Sequence, residues 1–437
     1  MKPEMTIERL HQVFLQSEGI STDTRQELKG RLFFALEGER FDGNRFVADA
    51  LKKGCRLAIT KNEALKGERG VLYSGSPLGM LQQLAAYHRR QVSPTVVAIT
   101  GSNGKTTTRE LVTAILGRRF SVLATRGNLN NHIGVPLTLL SLDKERVAVV
   151  EMGANHPGEI GKLAEIAAPD LGLITNVGKA HLEGFGSVSG VLDAKGELYE
   201  YLARHGGKAV VDGEDPLLLQ KASSAGVETL VVGEDGDIRV SGRVIDQSPF
   251  LVVELRINGV NHRLASRLVG SYNLQNIRLA AALGCHFEIA GSEIAGAIAS
   301  FEPEGFRSQV IEGTRNRVTM DSYNANPTSM RGAIGGLIEY ASPPVMVILG
   351  DMAELGDASE EEHAKLVRWI GTLSLDRVLL VGPRFGKVAE PSGGVYVFTS
   401  VGEVTSFLES DPPQGYHILV KGSRIMELEQ LMPLLVG

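Results

Sequence analysis

The sequence predicts an α/β protein of three domains, with a central parallel-sheet ATPase-like domain built on a phosphate loop and a Rossmann-like C-terminal domain. Three observations carry that expectation. A chain of 437 residues, 43% of them hydrophobic, is long enough for about three cores at roughly 150 residues each. Short β-branched runs alternate with helix-compatible segments along most of its length. A glycine- and lysine-bearing turn, TGSNGKTTT, stands between one such run and the helical segment after it.

Residues 1–82 read as a small α/β unit, with strand-like runs at Arg31–Leu36, Arg56–Thr60 and Gly70–Tyr73 and a helical stretch around Val47–Lys53. Residues 83–311 form the central unit. Its first run, Thr95–Thr100, leads through the glycine turn into TTTRELVTAILGRR, where Leu111, Val112, Ile115 and Leu116 share one helical face. Further strands are expected at Val147–Glu151 and Leu171–Asn176. In LVVELRINGVNHRL, Leu251, Val253, Leu255 and Ile257 alternate with more polar neighbours, and Asn258-Gly259 supplies a hairpin turn. That segment is expected to form a small antiparallel appendage. Residues 312–437 repeat the α/β pattern at Val345–Gly350, Arg377–Val381, Val395–Phe398 and His417–Val420. No GxGxxG follows these strands, so a dinucleotide is not predicted there.

Composition excludes several functions. A net charge of -6 argues against a nucleic-acid partner. Cys55 and Cys285 stand far apart in no CxxC spacing, which suits a reduced compartment. The start, MKPEMTIERLHQVFLQ, is amphipathic and lacks the apolar core of a secretory signal. No run approaches the ~18 apolar residues that span a bilayer. A cytoplasmic protein without membrane insertion, and a monomer, is the expectation.

The turn Gly101, Ser102, Asn103, Gly104, Lys105, Thr106 and Thr107 has the parts of an ATP site. Its glycines let successive N–H groups face a polyphosphate, and the next helix adds the partial positive charge of its N-terminus. Lys105 is placed for the β- and γ-phosphates and Thr106 for Mg²⁺. Ile99 occupies the position where the usual spacing has its first glycine. Glu151 ends an apolar strand, where a carboxylate can hold Mg²⁺ beside a phosphate loop; a solvated strand-end glutamate is the plain alternative. Asn273 and Asn276 lie three apart, so one helical face carries two amides suited to adenine edges or to capping. The segment STDTR reads equally as a helix N-cap cluster.

TGSNGKTTT belongs to a series: TRGNLNNHIGVPLTL, EMGANHPGEI, NVGKAHLEGFGS, AKGELYE, GSYNLQNIRLAAAL, DSYNANPTSM, LGDMAELG and VKGSR follow in order. The series resembles the Mur ligase family, and within it the branch that joins D-alanyl-D-alanine to a UDP-linked peptide. The resemblance implies ATP and Mg²⁺ as cofactors, with UDP-N-acetylmuramoyl-tripeptide and D-alanyl-D-alanine as the compounds joined through an acyl phosphate. It implies that residues 1–82 take the UDP-linked substrate, residues 83–311 bind ATP, and residues 312–437 close over ATP and D-alanyl-D-alanine. By its motifs, Thr106, Glu151, His181 and a carbamylated Lys195 hold Mg²⁺, with Lys105, Lys195 and His181 as catalytic residues. Without that match His181 would be an ordinary loop histidine, and Lys195 an exposed helix lysine with a short surface salt bridge. Arg307 matches an arginine near the ATP phosphates, preceded here by Phe306 where glycine is more usual; Asp321 matches a ribose-binding aspartate, with Tyr323 beside it. Thr125, Asn128, Asn130, Asn131, Asn324 and Asn326 are implied on the substrate side, and Ser21, Asp23, Thr24 and Arg25 at the uridine diphosphate. Lys421 and Arg424 are read as cations that attract an incoming carboxylate. The alternatives are another amino-acid-adding ligase of the same superfamily, a folylpolyglutamate synthase, or a P-loop regulatory binding protein.

Overall fold

The computed structural model describes residues 5–38, 41–303, 305 and 307–437, and the chain folds around three larger sheets and a two-stranded ribbon. The N-terminal sheet orders Ile20–Ser21, Leu32–Phe34, Leu57–Thr60 and Val71–Tyr73, all parallel. Side chains alternate across it. Phe34 packs with Leu10, Phe14, Leu81 and Leu84, whereas Phe33 packs on the other face with Leu28, Val47 and Ala50. The helix Pro77–Val92 begins with Ser76 Oγ accepting the Gly79 N–H and ends at Ser93, which takes φ +54. Its Leu81, Leu84 and Ala85 join a core that also holds Val96 and Ala98 of the central sheet. The junction expected between residues 82 and 83 falls inside this helix. Nor does any helix begin at STDTR, where Ser21 ends a short strand and a turn follows.

Nine strands form the central sheet, in the order Val260–Val269, Phe250–Ile257, Ile238–Gln247, Glu228–Gly233, Lys208–Asp212, Leu171–Ile174, Thr95–Thr100, Val147–Glu151 and Val122–Ala124. The strand Thr95–Thr100 is covered on both sides: Val96 and Ala98 face one core, Val97 and Ile99 the other. That is why it reads as an unbroken apolar run. Ile99 pairs with Glu151 and Thr100 with Ile174, so the C-terminal ends of three parallel strands lie level and their loops converge at one edge. The hairpin turn has Asn258 at φ +50 and Gly259 at φ +83, as a twist-matched two-residue turn needs. The expected antiparallel appendage on the central unit is present: Phe250–Ile257 pairs antiparallel with Ile238–Gln247 and Val260–Val269, and Ile238–Gln247 joins them to the sheet by pairing with Glu228–Gly233.

The C-terminal sheet orders Gln309–Glu312, Arg317–Asp321, His417–Lys421, Val345–Gly350, Arg377–Val381 and Val395–Phe398, parallel except for the first strand, and that strand spans the junction expected between residues 311 and 312. Val345, Val347 and Leu349 face one core and Met346 and Ile348 the other. Asp321 and Lys421 stand opposite each other at the ends of neighbouring strands. No helix among the described residues is long and apolar enough to cross a membrane.

Candidate active site

A cavity of about 830 Å³ opens where the C-terminal edge of the central sheet meets the last unit. Its floor is the glycine turn. Gly101 takes φ +148 and Gly104 φ +78; a Cβ at the first would run into Thr175 Oγ1, and at the second into the Asn276 amide. The turn is held by its neighbours. Asn103 N–H donates to Asn176 Oδ1 at 3.0 Å, and its carbonyl accepts the Thr175 hydroxyl at 2.6 Å. Ser102 Oγ accepts the Gly178 N–H at 2.9 Å. Lys105 Nζ donates to Gly101 O at 2.7 Å, and burial, with Arg307 nearby, lowers its pKa from the ordinary lysine value.

Asn273 and Asn276 border the cavity, but their amides are engaged by the protein. Asn276 Nδ2 donates to Asn273 Oδ1 at 2.8 Å, Asn273 Nδ2 to Val269 O at 2.8 Å, and Asn276 Oδ1 accepts the Thr108 hydroxyl at 3.2 Å. These contacts set the Asn276 amide against Gly104 at the cavity wall.

Glu151 is buried at the level of the turn. Its Oε2 accepts the Thr106 hydroxyl at 2.9 Å and Arg109 Nη1 at 3.1 Å, and its Oε1 accepts Asn130 Nδ2 at 2.8 Å. A strand-end carboxylate joined to a hydroxyl supplies hard oxygen donors, and the described residues contain no cluster of three His, Cys, Asp or Glu. That donor set fits Mg²⁺, which takes few protein oxygens and completes its shell with phosphates and water.

His181, at φ +53, lines the cavity with Nδ1 2.7 Å from Glu354 Oε2 of the C-terminal unit, off the line of a straight hydrogen bond. The imidazole beside it draws the Glu354 carboxyl below its ordinary value. Beside this contact Lys179 Nζ meets Glu362 at 2.7 Å across the same boundary. Lys195 corrects the surface reading. It is 1% exposed and packs 5.8 Å from the Phe185 ring centroid, with no ion pair among the described residues. Burial, then the charge of Lys105, push its pKa far below that of a free lysine.

The opposite wall belongs to the last unit. Arg307 lies over the Tyr323 ring, 3.7 Å from its centroid; Phe306 falls outside the described residues. Asp321 Oδ2 accepts Lys421 Nζ at 2.6 Å and Oδ1 accepts the Ser308 N–H at 3.2 Å, so both carboxylate oxygens have protein partners. Lys421, read as a surface cation, is 2% exposed and also donates to Asn324 O at 3.0 Å. Arg424 sits 5.5 Å from the Tyr323 centroid. Asn326 caps the helix Pro327–Tyr340 and donates to Asn103 Oδ1 at 2.7 Å.

Asn128, Asn130 and Asn131 line the cavity. Thr125 does not: it is buried beneath, its Oγ1 accepting the Glu151 N–H at 3.0 Å. Ser21, Asp23, Thr24 and Arg25 stand outside the cavity wall, where Arg25 pairs with Asp23 and Lys53 Nζ donates to Thr24 O. Arg109, Asn176 and Glu354 carry contacts that residue-by-residue reading missed. Asn176 and Glu354 at least lie inside quoted motifs, while Arg109 resembles any helix arginine.

Three family descriptions match successive parts of the chain: "Mur ligase family, catalytic domain" at residues 16–89, "Mur ligase middle domain" at 99–284, and "Mur ligase, glutamate ligase domain" at 306–424. The UDP-N-acetylmuramoyl-tripeptide–D-alanyl-D-alanine ligase of Escherichia coli (strain K12) is 36% identical, over 95% of this chain and 93% of its own. The chain belongs to the Mur ligase family. The equally named ligase of Bacillus subtilis (strain 168) is 34% identical over 95% of this Mur ligase and 92% of its own length. MurF from Acinetobacter baumannii superimposes with a TM-score of 0.88 at 34% identity, covering 99% and 98% of the two chains. The MurF ligase from Thermotoga maritima in complex with ADP gives 0.86 at 26% identity, covering 96% and 97%. This Mur ligase shares their three-part α/β architecture.

Proposed function

We propose that this Mur ligase joins D-alanyl-D-alanine to UDP-N-acetylmuramoyl-tripeptide with cleavage of ATP to ADP and phosphate. The observation that carries this reading is a single cavity walled by the glycine turn, Glu151 and His181 on one side and by Arg307, Asp321 and Asn326 on the other. Full-length relatives that share one substrate name support the choice of dipeptide. The chain would work as a monomer in the cytoplasm.

In this mechanism the turn Gly101–Thr107 cradles the ATP phosphates, and Lys105 and Arg307 stabilise charge on the γ-phosphate. Thr106, Glu151 and His181 would hold Mg²⁺, which supplies charge neutralisation there. A neutral, buried Lys195 amine is the form that adds to carbon dioxide; the carbamate would be a further anion for the metal. The carboxylate of the tripeptide attacks the γ-phosphorus, the bond to ADP breaks, and an acyl phosphate results. The dipeptide amine then attacks the acyl carbon, loses a proton, and expels inorganic phosphate from the tetrahedral intermediate. Asn128, Asn130 and Asn131 face the acceptor, with Asn324 on the opposing wall. The C-terminal unit excludes water that would otherwise hydrolyse the acyl phosphate. The first unit, with Ser21, Asp23, Thr24 and Arg25, would take the uridine diphosphate.

The test is phosphate release with ATP, Mg²⁺ and the UDP-linked tripeptide, comparing D-alanyl-D-alanine with single amino acids and with no acceptor amine. Release that needs the dipeptide, with pentapeptide product by mass, is expected. Release driven by a single amino acid would move the substrate, and no amine-dependent release would end the ligase reading.

A further inference from the structure

Arg109 is a buried cation that takes no part in the steps above. It stands three residues after Thr106 on the helix Lys105–Leu116, so the two share a face. Both reach one carboxylate oxygen, Glu151 Oε2. The same Arg109 Nη1 donates to Gly127 O at 3.2 Å, in the turn that opens the Asn128–Asn131 wall, while Nη2 is held by Glu110 Oε1 at 2.7 Å. The Arg109 side chain is 5% exposed. Asn130, from that same wall, holds the other Glu151 oxygen. One guanidinium therefore links the phosphate-loop helix, the strand-end carboxylate and the asparagine wall. A planar fork serves three acceptors in fixed directions; an ammonium at the end of a flexible stem does not.

We infer that Arg109 is a positioning residue: it aims the Glu151 carboxylate at the metal and, through Gly127, sets the asparagine wall in the same register. The inference rests on reading Glu151 as a Mg²⁺ ligand. Outer partners that orient a metal-binding carboxylate typically change metal affinity 10- to 100-fold when removed. Removal of Arg109 thus acts on the metal and on the wall together, and leaves the metal-free phosphate contacts in place.

The experiment titrates ADP into the wild type, Arg109→Met and Arg109→Lys, once in EDTA and once in Mn²⁺, with bound Mn²⁺ read by electron paramagnetic resonance. The ratio of the two ADP affinities is the metal enhancement. Expected is an enhancement about tenfold smaller in Arg109→Met, with ADP affinity in EDTA within about twofold of wild type. A raised KM for the UDP-linked acceptor should accompany it. Arg109→Lys, which keeps the charge but not the fork, should also lose enhancement, and it carries the test if Arg109→Met does not fold by circular dichroism. An unchanged enhancement in a folded variant overturns the inference, as does an equal loss with and without metal, which marks a merely structural role. If the wild type itself shows no enhancement, the metal reading of Glu151 fails and takes the inference with it.

Discussion

Asn326 Nδ2 donates to Asn103 Oδ1 at 2.7 Å, so the residue that caps a helix of the last unit also grips the phosphate loop of the central one. Its own Oδ1 accepts the Ser329 N–H at 2.9 Å, and the Ser329 hydroxyl accepts the Asn326 N–H in return. The two duties can be separated. Asn326→Ser keeps a capping oxygen but is too short to reach Asn103. It should melt within about 1 °C of wild type and lose about tenfold in kcat, as closure no longer registers the loop. Asn326→Ala should lose the same activity and about 1 kcal/mol of stability in addition. Thermal melts beside steady-state rates check both.

Gly104 lies against the Asn276 amide at a backbone angle that side chains rarely adopt. Gly104→Ala should weaken ADP binding at least about tenfold through a clash and about 1–2 kcal/mol of left-handed strain. Gly104→Ala with Asn276→Gly removes the clash only, so ADP titration should show partial recovery. Full recovery would mean that the backbone angle contributes nothing.

Lys195 gives a pH prediction whose sign follows from its burial. Its folded-state pKa is depressed, so between that value and the ordinary lysine value the unfolded chain binds a proton that the folded chain does not. Stability must therefore rise with pH through that window. In buffer stripped of carbon dioxide, Lys195→Met should melt above wild type at neutral pH. The gain should shrink as the pH climbs toward the ordinary lysine value, and the variant should make no product. A melting difference that stays flat with pH would refute the buried neutral amine.

Asp321 and Lys421 form a buried cross-strand ion pair with side chains 16% and 3% exposed. Asp321→Asn preserves size and the acceptor for Ser308 but leaves the ammonium without its counter-charge. A loss of about 2–4 kcal/mol is expected in denaturant unfolding, at the low end because the carboxylate keeps some contact with water. Nucleotide affinity should fall with it, since Tyr323 and Asn324 follow on the same chain.

Local chemistry made much of this fold legible. The strand Thr95–Thr100 and the helix after its glycine turn follow from residue order alone, as does the Asn258-Gly259 turn, because propensity and period act over a few neighbours. The misread burials share one cause: contacts that a side chain's immediate neighbours in sequence do not announce. Lys421 reads as a surface cation because nothing near it is acidic, and its partner Asp321 lies 100 residues away. Lys195 reads as exposed, since its helix partners do not reveal the Phe185 face that covers it. Thr125 stands in a polar loop of the sequence, yet its hydroxyl turns inward to the Glu151 backbone. Motif resemblance named Glu151 and His181; it could not name Arg109, whose meaning lies in the two segments it joins.

The helix Pro77–Val92 bears on how chimeras of this chain should be cut. It gives Leu81, Leu84 and Ala85 to a core that the first unit and the central sheet own jointly. A graft that exchanged the first 82 residues for those of another ligase would sever the helix in mid-course and pair foreign residues on both sides of that core. Splicing at Ser93-Pro94, where the left-handed Ser93 has already ended the helix, would transplant the element whole. The recipient would then have to accept one complete helical surface instead of half of one.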